Sequence, residues 1–168
     1  MTGSRRYAAA ALAIGFAVGA VDVVSKILVV AELSGRPPVT LLGGLITLQL
    51  YRNAGAAFGV GHSFTAIYAL VAAAVLVAIL RVSGRLRSWL WATALGLVLG
   101  GAAGNLADRV FRSPGPMRGW VIDWIKLPYF PETFNIADSA LTVGIVLLVL
   151  ASIRGQLQRE AVRTVTEQ

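Results

Sequence analysis

Four long apolar runs constrain this chain of 168 residues more than any other feature of its sequence. Each run has about the length that an α-helix needs to cross a bilayer, which is roughly 20 residues. The apolar fraction of 57% is also higher than that of ordinary water-soluble domains. We therefore predict an all-α polytopic membrane protein that forms one domain over residues 1–168, with helices at about 7–31, 64–80, 89–107 and 136–153.

The first apolar run follows Arg5 and Arg6, as the apolar core of a secretory signal peptide follows its basic residues. The run is longer than the roughly 7–15 residues of a signal-peptide core, and no A-x-A-like cleavage site follows it cleanly. We interpret it as a retained membrane helix.

The net charge of +7 comes from basic residues that stand at the ends of the predicted helices. A nucleic-acid-binding protein would collect them on a soluble face, so we expect no nucleic acid partner. Basic residues are enriched on the cytoplasmic side of membrane proteins. This rule predicts that both termini, the turn 81–88 and the polar tail 154–168 are cytoplasmic, and that the connections 32–63 and 108–135 face outward. The residues that carry the bias are Arg5, Arg6, Arg81, Arg85, Arg87, Arg154, Arg159 and Arg163.

Both outward connections contain an alternation of apolar and polar residues that is typical of β-strands. In "LITLQLYRN", the apolar residues Ile46, Leu48 and Leu50 occupy every second position, and "GWVIDWIKL" alternates in a similar way. The alternation predicts strands with one buried face at about 45–52 and 119–127. We expect them to form a small extracytoplasmic β-sheet on the outer membrane surface.

The pattern N-x-x-D occurs twice beside apolar segments, in "GNLADR" at 104–109 and in "FNIADS" at 134–139. The chain has only 8 acidic residues, and the predicted topology brings four of them to the level of the outer leaflet. Ionisable side chains at membrane depth are candidates for function because their burial is costly. The four are Asp22, Asp108, Asp123 and Asp138.

Each polar residue near this level also has a purely structural interpretation. Asp22 and Lys26 stand one helical turn apart and can neutralise each other. Asp108 can pair with Arg109 at a helix end, and Asp138 suits the positive N-terminal end of a helix. The other candidates can form turns, remain solvated or hydrogen-bond neighbouring groups. They are Asn53, Asn105, Asp123 and Asn135.

The side chains present exclude several catalytic mechanisms. The chain has no Cys and one His, which excludes a thiol nucleophile and a metal site made of His and Cys. A Ser-His-Asp triad would need His62, which has no evident partner, and a Ser-Lys dyad would need a neutral Lys26. Paired carboxylates remain, in which one Asp takes a proton from water and the other donates one to the reacting group. The spacing leaves two pairs open, Asp108 with Asp138 and Asp123 with Asp138.

Five motifs with these residues occur in a fixed order along nearly the whole chain. They are D-x-x-x-K at 22–26, "NAGAAFG" at 53–59, "GGAAGNLADR" at 100–109, "GWVIDW" at 119–124 and "FNIADS" at 134–139. The set resembles that of the bacterial lipoprotein signal peptidases, also called signal peptidase II. The resemblance implies an aspartic endopeptidase of the bacterial cytoplasmic (inner) membrane. Such an enzyme removes the signal peptide from diacylglyceryl-modified prolipoproteins by cleaving before the lipidated Cys.

The resemblance also implies a role for each polar residue. It makes Asp123 and Asp138 the catalytic pair, with no metal and no cofactor. It gives roles in substrate binding or site support to Asp22, Lys26, Asn53, Asn105, Asp108, Arg109 and Asn135. We expect lipid-modified prolipoproteins and membrane lipids as partners of a monomeric protein.

Two features depart from the family pattern. Trp124 stands where the family usually has Phe, and the loop 111–118 is longer than is common. Three alternatives stay open at this point. A proton-coupled transporter would use the carboxylates to carry protons, a structural subunit would use them for assembly alone, and carboxylates can also bind Mg²⁺.

Overall fold

The computed structural model describes residues 2–55 and 65–166, with side chains described over 4–55 and 65–156. Helices dominate these residues, and four of them are long and apolar enough to cross a membrane. The predicted class of four membrane helices with a small sheet is therefore confirmed. In chain order the elements are α1 (Thr2–Leu33), β1 (Val39–Leu41), β2 (Ile46–Asn53), α2 (Thr65–Ser83), α3 (Trp89–Phe111), β3 (Val121–Lys126), β4 (Thr133–Phe134) and α4 (Ile136–Thr166).

Helix α3 lies at the centre of the bundle and packs against α1, α2 and α4. Its buried residues extend from Ala92 to Asp108. The other helices leave large apolar side chains exposed, among them Phe16, Leu70 and Val149. In a bundle that spans a bilayer, side chains of this kind contact lipid, so their exposure carries no hydrophobic penalty.

Helices α1 and α3 approach closely because glycines line their contact. At Gly100, an added Cβ atom would lie 2.6 Å from the carbonyl oxygen of Gly15 and 2.6 Å from the Cβ of Val18. At Gly104, an added Cβ atom would overlap the carboxylate of Asp22. The close approach thus places Asp22 against the half of α3 that carries the first N-x-x-D pattern.

The sheet is antiparallel, with the strand order β1-β2-β3-β4. Strands β1 and β4 have only 3 and 2 residues, which is too short for alternation to be recognised in the sequence. The expectation of strands with one buried face is wrong. Strand β2 is half-buried continuously from Ile46 to Leu50, and β3 buries Val121, Ile122 and Asp123 in succession. Strand β3 is buried on both faces at this end because it also contacts α1 and α3.

Strand β2 contains a bulge opposite β3. Three steps along β2, from Leu48 to Tyr51, lie opposite only two steps along β3, which end at Asp123. A shift of one residue exchanges the two faces of a strand. Beyond the bulge, Asn53 therefore lies on the same face of the sheet as Asp123. Without the bulge, Arg52 would lie on the same face of the sheet as Asp123 instead of Asn53.

Candidate active site

The polar residues singled out in the sequence meet at one end of the helix bundle, where α1 and α3 face β3 and the start of α4. Hydrogen bonds and ion pairs join eight of the nine into one network. Arg109, the ninth, lies beside it within the electrostatic field of three of its carboxylates. The eight are Asp22, Lys26, Asn53, Asn105, Asp108, Asp123, Asn135 and Asp138.

Lys26 is fully buried and connects α1 to α3. Its Nζ lies 2.7 Å from Asp22 Oδ2 and 3.0 Å from Asp108 Oδ2. It also donates a hydrogen bond of 2.9 Å to Asn105 Oδ1. The contact with Asn105 is a hydrogen bond, and the two carboxylates face Nζ as ion pairs. Because its Nζ faces two carboxylates and an amide oxygen, Lys26 has no free position for the general-base role of a Ser-Lys dyad.

Asp22 connects α1 to the first turn of α4. Its Oδ1 accepts a hydrogen bond of 2.9 Å from the backbone N–H of Ala137. Its Oδ2 faces Lys26, and the side chain is fully buried. Asp22 and Lys26 do neutralise each other, as their spacing predicts, but each also reaches a second helix. The pair therefore positions α1, α3 and α4 relative to one another.

Asp108 anchors β3 to the end of α3. Its Oδ2 accepts a hydrogen bond of 3.0 Å from the backbone N–H of Ile122 and faces Lys26. Its Oδ1 pairs with the guanidinium of Arg112. The structural interpretation that pairs Asp108 with Arg109 is wrong, because adjacent side chains on a helix diverge while residues four apart share a face. The Asp108 carboxylate thus has two cations and one backbone N–H as partners.

The second N-x-x-D pattern forms a capping box at the start of α4. Asn135 immediately precedes the helix, and its Oδ1 accepts a hydrogen bond of 2.9 Å from the backbone N–H of Asp138. In return, Asp138 Oδ2 accepts a bond of 3.1 Å from the backbone N–H of Asn135. Such reciprocal bonds satisfy two N–H groups that a helix start leaves without partners. They also fix the direction of the Asp138 carboxylate.

Asn135 links the two carboxylates that the family resemblance makes catalytic. Its side chain is fully buried, and its Nδ2 donates a hydrogen bond of 2.7 Å to Asp123 Oδ1. Its backbone N–H contacts Asp138, as described above. Asn105 Nδ2 donates a second bond, of 2.8 Å, to Asp138 Oδ1. One residue thus holds Asp123 and Asp138 in a fixed mutual position.

Asp123 lies in β3 with 2% of its surface exposed. Burial raises the pKa of Asp123 to about 7, and the charge of Asp138 adds to the rise, while hydrogen bonds from Asn53 and Asn135 oppose it. The bond from Asn53 Nδ2 to Asp123 Oδ2 measures 2.9 Å. It depends on the bulge that places Asn53 on this face. Near neutral pH, Asp123 is therefore divided between its protonated and ionised forms.

These environments distinguish the two carboxylate pairs that spacing leaves open. Asp108 is already paired with two cations, Lys26 and Arg112. Asp123 forms no ion pair within the described residues and can hold a proton. Two close carboxylates with one shared proton provide both the base and the acid that peptide hydrolysis needs. The geometry favours Asp123 with Asp138 for this chemistry.

Two buried N–H donors near the network have no hydrogen-bond partner among the described residues. One is Arg109 Nη1, and the other is Trp124 Nε1. The guanidinium of Arg109 lies 5.5 Å from the centroid of the Tyr68 ring, which supports it from one side. An unpartnered buried donor beside two carboxylates is suited to bind a carbonyl group of a ligand.

Asp138 opens onto an apolar groove with a volume of about 340 Å³. The groove runs between the end of the sheet and α4, and Asp138 is the one charged residue among the described residues that line it. Its other lining residues are Leu127, Phe130, Phe134, Ser139, Thr142 and Val143. The carboxylate pair can therefore be reached along a surface that suits an apolar peptide.

Some of the predicted features lie outside the described residues. They are His62 and the end of the "NAGAAFG" motif, residues 56–59. Within the described part of the chain, no group of three or more His, Cys, Asp or Glu side chains is placed to hold a metal ion.

The profile of the family described as Signal peptidase (SPase) II matches residues 14–154. The chain belongs to the signal peptidase II family. A relative from Streptomyces coelicolor, named lipoprotein signal peptidase, is 46% identical over 154 residues, which cover 92% of this chain and 75% of the relative. One of the same name from Mycobacterium tuberculosis is 42% identical over 144 residues, with 86% and 71% covered.

The fold also matches that of a solved bacterial membrane enzyme. A bacterial membrane enzyme determined by the in meso method at 2.3 Å resolution superposes with a TM-score of 0.74 at 25% identity, covering 87% of this chain and 88% of the other. Family membership makes the chain an aspartic-type protease.

Sequence reasoning missed one member of the site, Arg112. The signal was present, because Arg112 follows Asp108 by four residues, the spacing of an ion pair on one helix face. The predicted end of the helix at residue 107 concealed it. Helix α3 continues to Phe111, so Arg112 immediately follows its last turn and can reach Asp108.

Proposed function

We propose that Asp123 and Asp138 form the catalytic dyad of a membrane aspartic endopeptidase. Its substrates are diacylglyceryl-modified prolipoproteins, and it removes the signal peptide by cleaving before the lipidated Cys. One observation carries the proposal: Asn135 hydrogen-bonds both carboxylates in a chain of the signal peptidase II family. The roles of the individual residues follow from their contacts.

The dyad shares one proton and acts on a bound water molecule. The ionised carboxylate takes a proton from this water, whose oxygen forms a bond with the scissile carbonyl carbon. The protonated carboxylate gives its proton to the carbonyl oxygen, which develops negative charge. When the C–N bond breaks, the leaving nitrogen receives a proton from the dyad. The products are a signal peptide with a new carboxylate and a lipoprotein with the free amine of its lipidated Cys.

The remaining residues of the network position this pair and its substrate. Lys26 and Asp22 hold α1, α3 and α4 together, and Asp108 fixes the start of β3 through Ile122. Asn53 and Asn105 each donate to one carboxylate of the dyad. Arg109 contributes its free Nη1 to a backbone carbonyl of the substrate.

The groove beside Asp138 receives the apolar part of the signal peptide. On its α4 side, Val143 is exposed as a lipid-facing residue of the helix would be. A signal peptide that is already in the bilayer can then enter sideways, without leaving the apolar phase. The lipid on the substrate Cys keeps the scissile bond at the level of the dyad.

The same proposal includes the place of the protein in the cell. It is a monomer in the cytoplasmic (inner) membrane of a bacterium, with both termini cytoplasmic and the dyad near the outer leaflet. The distribution of basic residues over the helix ends supports this orientation. A single peptidase domain spans residues 1–168, and surrounding lipids and prolipoproteins are its partners.

A gel-shift assay with a diacylglyceryl-modified prolipoprotein in detergent tests the proposal. We expect Asp123→Asn and Asp138→Asn to lower the cleavage rate by roughly 10²–10⁴-fold, the usual contribution of acid–base groups. Asp108→Asn should retain partial activity, because it perturbs support rather than chemistry. Glu132→Gln removes a carboxylate outside the network and should cleave as the wild type does.

Two results would contradict the assignment. If Asp108→Asn and Asp138→Asn lose cleavage while Asp123→Asn cleaves normally, the dyad consists of the Asp residues of the two N-x-x-D patterns. If the wild-type protein unfolds cooperatively but does not cleave the substrate, the proposed peptidase activity is refuted. Proton flux across vesicles would then be measured, as expected of a transporter.

A further inference from the structure

A large cavity lies far from the carboxylate dyad. It has a volume of about 900 Å³ and opens between the start of α1 and the connection from α2 to α3. Arg5 at this cavity and Lys26 at the dyad are separated by about 30 Å along α1, from the rise of a helix per residue. The cavity therefore belongs to the opposite membrane leaflet. Its main lining residues are Arg5, Arg6, Tyr7, Gly84, Arg85 and Arg87.

Contacts between the two segments build the walls of this cavity. Ser4 Oγ donates a hydrogen bond to the backbone carbonyl of Gly84. The ring of Tyr7 packs edge-to-face on Trp89, with centroids 5.1 Å apart. Leu86 is buried with 7% of its surface exposed, which anchors the connection between Arg85 and Arg87. The arginines are thus presented by a packed frame that α1, α2 and α3 share.

The cavity has a strong excess of positive charge. None of its four arginines forms an ion pair in the part of the chain that the structure describes. Helices α1 and α3 both begin here without an acidic residue in the first turn, so their dipoles add to the positive potential. Glu160 and Glu167 lie outside the residues with described side chains. The acidic residues that are described stand at the other end of the bundle: Asp22, Glu32, Asp108, Asp123, Glu132 and Asp138.

Arginine recognises phosphate groups in particular, because its planar guanidinium can donate two parallel hydrogen bonds. One guanidinium is already oriented: Arg6 lies over the Tyr7 ring at 4.9 Å and donates to the Tyr7 hydroxyl at 3.0 Å. A volume of about 900 Å³ is near the upper end of the usual range for organic ligands, which reaches roughly 1,000 Å³. An inorganic phosphate alone would leave most of it empty.

The rim of the cavity has the character of a membrane interface. Trp89 and Trp91 begin α3 with 57% and 37% of their surfaces exposed, and Val82 ends α2 with 43% exposed. Exposed tryptophans at the ends of membrane helices typically lie at the level of the lipid headgroups. A headgroup in the cavity would therefore continue into acyl chains along an apolar surface.

We propose that this cavity binds an anionic phospholipid through its phosphodiester headgroup, in the leaflet opposite the dyad. The arginines hold the phosphate, and the acyl chains lie against the exposed side chains of α2 and α3. Bound lipid joins the start of α1 to the α2–α3 connection and stabilises the bundle. The site is separate from the dyad, so it does not depend on the peptidase activity.

Thermal unfolding of the full chain in detergent, with added lipid, tests this proposal. Dioleoylphosphatidylglycerol should raise the unfolding temperature at concentrations where dioleoylphosphatidylcholine does not. Arg85→Gln with Arg87→Gln should weaken the apparent Kd for phosphatidylglycerol by roughly thirtyfold, since each arginine near an anionic lipid contributes about fivefold.

A matched double variant removes the same charge at the same end of the bundle. Arg81 and Arg154 are exposed and do not line the cavity, so Arg81→Gln with Arg154→Gln should bind the lipid within about threefold of wild type. Both double variants should unfold near the wild-type temperature without lipid, because all four side chains are exposed.

Three outcomes would overturn the proposal. Equal weakening by the two double variants would mean that diffuse surface charge attracts the lipid. Equal stabilisation by phosphatidylcholine would mean that the headgroup charge is not recognised. If inorganic phosphate gave the same stabilisation and displaced the lipid, the cavity would be a site for free anions.

Discussion

Replacing Lys26 by Met tests how the buried network holds the helices together. The substitution keeps the size of the side chain but removes the ammonium that faces Asp22 at 2.7 Å and Asp108 at 3.0 Å. Asp108 keeps its pair with Arg112. Asp22 loses the one cation that pairs with it in the described residues, and it remains fully buried.

The size of the effect follows from this difference between the two carboxylates. Removing one partner of a buried ion pair typically destabilises a protein by about 3–5 kcal/mol, because the other charge is left uncompensated. Total stabilities are about 5–15 kcal/mol, so Lys26→Met should remove about a fifth or more of the stability. We expect most of this loss to come from Asp22.

A second substitution separates charge from packing. Asp22→Asn in the Lys26→Met background removes the uncompensated charge, while the amide oxygen can still accept from the N–H of Ala137. The remaining loss should fall to about 1–3 kcal/mol, the cost of unsatisfied polar groups. The double variant should therefore be more stable than Lys26→Met alone.

The unfolding of both variants and of Asp22→Asn can be measured by circular dichroism in mixed micelles of mild detergent and dodecyl sulfate. Together with the wild type, these variants form a double-mutant cycle. Two results would refute the reasoning. One is a loss below about 1 kcal/mol for Lys26→Met, and the other is a double variant whose loss equals the sum of the single losses.

Three further predictions concern the dyad and its support. The pKa of Asp123 is raised to about 7, so its protonated form contributes stability that is complete below about pH 4 and is lost as the pH rises through about 7. This contribution is at most about 4 kcal/mol. Asp123→Asn should therefore show a flatter dependence of stability on pH between pH 4 and 8, and an unchanged slope would contradict the burial argument. Cleavage by the wild type should also decline above about pH 7, where both carboxylates of the dyad are ionised, and a rate that rises steadily to pH 9 would exclude the shared proton. Gly104→Ala should lose about 1–3 kcal/mol of stability and most of its cleavage activity, because the added methyl group would overlap Asp22. As a control, Gly155→Ala adds a methyl group that meets nothing within 4 Å. It should unfold at the wild-type temperature or slightly above it. Asn135→Ala should lose about 1 kcal/mol of stability with the helix cap, and it should also lose cleavage activity. Asn135→Ser should restore the cap but not the hydrogen bond to Asp123. Full activity of the serine variant would show that cleavage does not need this hydrogen bond.

The two N-x-x-D patterns look alike in the sequence and have different physical roles. At the start of α4, Asn135 and Asp138 form reciprocal hydrogen bonds that close a helix end. In α3, Asn105 and Asp108 stand inside the last turns and both face Lys26. The likeness comes from helical spacing, because residues three apart share one face of a helix.

Parts of the site were predictable because they depend on local spacing. Asp22 and Lys26 stand one turn apart, and any helix brings them together. The choice between Asp108 and Asp123 as the partner of Asp138 was not predictable from the residues alone. It depends on Lys26 and Arg112, which neutralise Asp108, and both contacts require helix ends that the sequence located only approximately.

The sequence by itself determined that this chain forms four membrane helices, because apolar runs of that length can satisfy their backbone groups in a bilayer only as helices. It also determined that Asp22 and Lys26 share one face of α1, since residues four apart lie on the same side of a helix. Tertiary structure decided the environment of Asp123. Its burial comes from the packing of β3 against α1 and α3, and the bulge in β2 selects Asn53 rather than Arg52 to face it. Had the ladder been regular, an arginine would have stood beside Asp123 and favoured its ionised form, because a nearby cation lowers the pKa of a carboxyl group.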